Sequence, residues 1–82
     1  MQATHKPQRW SDALLATTRA VMNLETVPMG DFIYLKNING EYGQIKFPDW
    51  LAERICVQNR ETSVEAVYDS VDALIAAGWA VD

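Results

Sequence analysis

The segment FIYLKNINGEYGQIKF, residues 32–47, constrains the chain more than any other stretch. Two strand-like runs flank Asn39-Gly40, the strongest short-range hairpin signal, because a tight type I′ turn needs positive φ at both positions. A two-residue turn there sets Ile38 opposite Glu41. Working outward, Phe32 then pairs with Phe47 and Tyr34 with Ile45 on one face, and Ile33 pairs with Lys46 and Leu35 with Gln44 on the other. The first strand is apolar on both faces and the second on one, the pattern of a central strand beside an edge strand. Gly43 is the residue at which a bulge is expected.

The flanking segments read as helices and a last strand. Ser11 is placed to cap a helix with Asp12 in its first turn, and Leu14, Leu15, Thr18, Val21 and Met22 recur at helical spacing, so a helix is predicted over 12–24. Pro28 and Gly30 close that region. Pro48 and Asp49 open a second helix with Leu51, Ile55 and Cys56 on one side, ending by Gln58. Thr62 followed by Glu65 has the form of a capping box and starts a third helix that Gly78 stops. Trp79 and Val81 after it share one face of a short final strand. The predicted fold is α+β in the order α-β-β-α-α-β: an antiparallel hairpin (about 32–38 and 41–47) and a C-terminal strand, packed with three helices. Residues 1–9 are expected to be a loose tail and residues 10–82 one domain. No internal repeat or low-complexity segment appears.

Composition bounds the function. An apolar fraction of 49% in 82 residues supports one core and argues against disorder. At this length about 60% of the unfolded chain's surface is buried on folding. No apolar run reaches the ~20 residues that span a bilayer, so no membrane role is expected. MQATHKPQRW lacks the apolar stretch of a signal peptide. With a single cysteine, Cys56, an internal disulfide is excluded and a cytoplasmic setting is expected.

The net charge is −4, unevenly spread. Residues 1–40 carry Lys6, Arg9, Arg19 and Lys36 against Asp12, Glu25 and Asp31. Residues 41–82 carry Lys46, Arg54 and Arg60 against eight acids. That balance counts against nucleic-acid binding, which needs Lys and Arg to displace counterions. A helix-turn-helix reading of 49–75 fails for the same reason, since its second helix holds Glu65, Asp69 and Asp72 and no cation. The hairpin aromatics Phe32, Tyr34 and Tyr42, with Lys36 and Lys46, are the one pattern suited to single-stranded nucleic acid. On the predicted register, however, Phe32 and Tyr34 cover the core.

No catalytic constellation stands out. His5 is the sole histidine and lies in the tail, so neither it nor Cys56 has a partner at metal-ligand spacing, and no metal or cofactor is expected. Cys56 on an apolar helix face has no base to activate it. Serines 11, 63 and 70 lack one in sequence. The glycines serve turns, and none forms a phosphate loop. Carboxylate pairs are numerous, and nothing singles one out.

Two candidate interaction surfaces remain. On a helix, Glu61, Glu65, Asp69 and Asp72 form an acidic ladder with about 6 Å between turns, facing either water or a basic partner. Ile33 and Leu35, with Tyr42 nearby, form an apolar patch on the second sheet face. Either a helix of the same chain covers that patch or a second copy does, as a homodimer. The expectation is a non-catalytic protein-interaction module, a small acidic regulator or inhibitor of a larger protein. The alternatives are a nucleic-acid-binding domain using the hairpin aromatics and a small oligomeric enzyme with a carboxylate site.

Overall fold

The computed structural model describes residues 9–26 and 30–82. The element order is α1 (Asp12–Met22), β1 (Phe32–Asn37), β2 (Tyr42–Lys46), α2 (Phe47–Leu51), β3 (Ile55–Asn59), β4 (Glu65–Tyr68), α3 (Val71–Ala76) and β5 (Trp79–Val81). The chain is α+β; the described residues form three helices and one five-stranded antiparallel sheet in the order β4-β3-β2-β1-β5. The expected tail, apart from Arg9, lies outside the described residues, as does Pro28.

The middle of the chain differs from the predicted helices. Residues 55–59 and 65–68 are strands, paired from Ile55↔Tyr68 to Gln58↔Glu65. Asn59 nucleates their connection: its side-chain oxygen accepts the backbone N–H of Glu61 at 2.8 Å and of Thr62 at 3.0 Å. Thr62 therefore sits in a hairpin loop and caps no helix. The third helix starts nine residues later than its apparent capping box, at Val71, where Ser70 Oγ accepts the N–H of Ala73. The second helix is short: it ends at Leu51, and Glu53, at φ +59, turns the chain into β3. The β-branched runs ICV and VEAVY satisfy helical and strand spacing equally well over so few residues, and the sheet selects the strand.

The first hairpin is shifted by one residue from its predicted register. Its pairs are Phe32↔Lys46, Ile33↔Ile45, Tyr34↔Gln44, Leu35↔Gly43 and Lys36↔Tyr42. The turn holds three residues, not two. Gly40 N–H donates to Asn37 O, and Asn37 N–H to Glu41 O. Only Gly40 (φ +97) takes the left-handed conformation, the form in which an ordinary turn is followed by a single left-handed residue. A one-residue slip exchanges the faces of one strand relative to the other. The apolar residues Ile33, Leu35 and Ile45 thereby fall together. Gly43 makes no bulge: it pairs with Leu35 and with Asn59 in an unbroken ladder. A Cβ there would lie 2.7 Å from Val57 and 3.0 Å from the Trp79 ring, so the glycine admits the indole.

All three helices contribute to one core on one sheet face. Val21 and Met22 from α1, Trp50 from α2 and Leu74 from α3 pack with Ile33, Leu35, Ile45, Ile55, Val57 and Trp79. Trp50 Nε1 donates to Val21 O at 2.8 Å, closing the end of α1. Buried Thr18 lies at the sheet's β5 edge, where its Oγ1 accepts the N–H of Val81 at 3.1 Å and donates to Leu14 O.

Candidate functional site

With the helices on one face, the other face of the sheet is left open among the described residues, and the strand registers assign its residues in rows. Lys36, Tyr42 and Arg60 cross the sheet at one level, with Ala80 beside Lys36. Tyr34, Gln44, Gln58 and Glu65 cross at the next. Phe32 and Lys46 pair below. Tyr34 is 42% exposed and Tyr42 53%. These side chains interlock: the Phe32 and Tyr34 rings are tilted with centroids 6.1 Å apart, and the Arg60 guanidinium lies 4.8 Å from the Tyr34 ring centroid. Gln44 Nε2 donates to Gln58 Oε1 at 3.0 Å. At the margin, Lys36 Nζ sits 5.1 Å from the Trp10 ring, whose Nε1 donates to Gly78 O. The centre of the strip is thus aromatic, amide and cationic, while the acids Glu65 and Asp82 stand at its ends.

The sequence-predicted site residues are distributed differently from expectation. Ile33 and Leu35 are 3% and 0% exposed and belong to the chain's own core, so they offer no patch to a second copy. The helix supplies the cover because the slipped register turns them inward. The acidic ladder does not exist as a ladder, because its residues span a loop, a strand, a bend and a helix. Glu61 lies in the β3–β4 loop, Glu65 on the open face of β4, and Asp69 in the bend after it. Asp72, in the first turn of α3, is bonded to Arg19 Nη1 at 2.6 Å and ties α3 to α1. Tyr42 is on the open face as an exposed ring.

Phe32, Tyr34 and Arg60 are the site residues that the sequence alone misplaces or misses. The two-residue turn assigns the first two to the core. Arg60 followed a predicted helix, and only the strand pairing of Asn59 with Gly43 brings it beside Tyr42. The signal for it was the β-branched alternation of residues 55–59.

Chemically reactive groups do not converge. Among the described residues no three His, Cys, Asp or Glu side chains gather as a metal site. Cys56 is buried, and burial raises its thiol pKa, reinforced by the charge of Glu65 and opposed by Arg54; a thiol kept protonated is a poor nucleophile. A hollow of about 670 Å³ beside the two hairpin loops contains Glu41, Glu61 and Arg60. There Glu41 is already occupied by Asn39 Nδ2 at 3.0 Å and Asn59 Nδ2 at 3.4 Å, as a clamp between loops. No described helix is long and apolar enough to cross a membrane. Comparison with protein-family models, with curated proteins and with solved structures finds no match to this chain.

Proposed function

We propose that the chain is a non-catalytic protein-interaction module, a small regulator or inhibitor, that engages its partner through the open face of the sheet. The observation that carries this reading is the cluster of Phe32, Tyr34, Tyr42 and Arg60 on that face. Tyr and Arg are the residue types that concentrate binding energy at protein interfaces, because they bury much area with few rotatable bonds and keep a polar tip. The Arg60–Tyr34 contact pre-orders both side chains, which reduces the entropy lost on docking. Acids at the strip's ends favour a partner whose complementary patch is anionic at its centre and basic at its rim.

The same face motivates a second reading. Exposed Tyr34 and Tyr42 with Lys36, Lys46 and Arg60 form a stacking surface with cations, as single-stranded nucleic acid requires. Three cations opposed by two flanking acids give a weak field for phosphates, so the protein reading is preferred.

The test compares the parent with Tyr34→Ala/Arg60→Ala, both at surface positions that leave the core intact. Each is used as bait in native lysate and in a gel-shift against random single-stranded DNA and RNA at low salt. The reading expects a defined protein captured by the parent and lost with the variant. An identical captured set from parent and variant would remove it. Salt-sensitive nucleic-acid binding that Tyr34→Ala abolishes would replace it with the second reading.

A further inference from the structure

Every sheet that is not closed ends in two edges, and in this one they are unlike. At β5 the outward-facing N–H of Val81 is taken by Thr18 of α1. At β4 no such bond is made among the described residues. Asn59 N–H donates to Val64 O, so in the β3–β4 ladder Val64 O and the backbone groups of Ala66 and Tyr68 point inward to β3, while the Val64 N–H is taken by Thr62 Oγ1. Those of Glu65 and Val67 point away from the sheet. The strand EAVY is short and carries the charge of Glu65, but it has neither Lys nor Pro, and its pairing runs without a bulge; these are three of the devices that blunt an edge. Val64 and Val67 are 67% and 57% exposed beside it.

Two further observations define what fits there. On the helix side of the sheet, α3 meets β4, yet Ala66 is exposed, and a groove of about 420 Å³ runs beneath it, lined by Val57, Val64, Tyr68 and Trp79 among others. On and around the strand stand Glu61, Glu65 and Asp69, all exposed. Of the nearer cations, Arg60 is turned to Tyr34 and Arg54 to Asp49 at 3.6 Å. Pairing β4 with its counterpart in a second copy would bring two such acidic sets together, which like-charge repulsion disfavours.

We infer that the β4 edge accepts an extended, basic segment of a partner protein as a sixth strand of the sheet. Backbone pairing with Glu65 and Val67 supplies the register. Strand side chains alternate between faces. Apolar residues of the incoming segment therefore enter the Ala66–Tyr68 groove, and Lys or Arg residues between them lie beside Glu65. The edge shares Glu65 with the open-face strip, but its outward backbone groups and its groove lie beyond Tyr34 and Arg60, so the inference does not depend on what that pair binds.

The experiment selects a displayed library of random peptides on the whole chain and maps the winners by amide chemical shifts. Enriched peptides should alternate apolar and basic residues and shift the amides of Glu65 to Tyr68. Val67→Pro removes one outward donor at an edge position where proline is tolerated, and should weaken binding roughly tenfold. Glu65→Gln with Asp69→Asn should weaken it and flatten its salt dependence, while Tyr34→Ala should leave it unchanged. If Val67→Pro does not fold, methylating alternate peptide amides asks the same question of the other partner. Failure of any peptide to enrich, binding that survives both Val67→Pro and amide methylation, or a parent dimer that Val67→Pro dissociates would each overturn the inference.

Discussion

Gly40 sits at φ +97 with open space where a Cβ would be, while Gly43, in the adjoining strand, has ordinary backbone angles and no space at all. The two residues therefore respond to substitution through different physics. Gly40→Val should cost about 1–2 kcal/mol by backbone strain, and Gly40→Asn much less, because Asn tolerates the left-handed region. Gly43→Ala should cost about 1–3 kcal/mol by overpacking against Val57 and Trp79, and Gly43→Asn should give no relief. Urea titrations of the four variants check this. If Gly43→Asn were milder than Gly43→Ala, the indole would not lie where the structure places it. Cys56 supplies a pH-dependent counterpart. Its thiol pKa is raised by burial and by Glu65. The neutral thiol therefore contributes stability that is fully present below the unfolded-state pKa of about 8.5 and is lost as pH rises through the higher folded value. Chemical melts at pH 7.5 and above pH 9 should show the parent losing more stability than Cys56→Val. An unchanged gap between them would mean that the buried thiol does not ionise on unfolding as argued.

Thr18 shows how one helix manages an element boundary. A threonine inside a helix commonly bonds its hydroxyl back to the preceding turn, and Thr18 does so to Leu14 while also accepting the N–H of Val81. Thr18→Val keeps shape and removes the acceptor. It should destabilise the chain by about 1–3 kcal/mol, the cost of stranding a donor, whereas Thr18→Ser should recover most of it. A loss of less than about 0.5 kcal/mol would show that water replaces the hydroxyl at that edge. The elements differed in how readable they were. For α1 the cap Ser11, the acid Asp12 and the apolar spacing agree with one another, and the helix lies over Asp12–Met22. For β1 and β2 the flanking runs were clear and the register was not, because Asn-Gly serves both two- and three-residue turns. For 55–70 the local signals conflicted. Thr62 and Glu65 imitate a cap, and the true determinant, Asn59 folding the loop over its own side chain, is a tertiary arrangement with no spacing of its own.

At the scale of the molecule, which sheet face the helices would cover could not be read from FIYLKN, since both faces of that strand are apolar or aromatic. Three short helices cover only one face, and the balance fell to Ile33 and Leu35 once Ile45 and Leu74 joined them. The net charge of −4 was likewise a poor guide to any one surface. Cations collect in the middle of the open strip and acids along the β4 edge, so the average describes neither. The β1–β5 pair has a consequence of another kind. Strands β1 to β4 are joined in series by short connections, but β5 must return across the whole meander to set Val81 beside Leu35. Closing that long loop costs entropy that only late, accumulated contacts repay. The order of assembly then follows: the meander around Ile45 forms in the transition state, and β5, with α1 over its edge, docks afterwards. Ile45→Val should slow folding, whereas Val81→Ala should leave the folding rate nearly unchanged and hasten unfolding. Stopped-flow chevrons with Trp fluorescence read both, and a Val81→Ala variant that slows folding as much as Ile45→Val would place the long-range closure first.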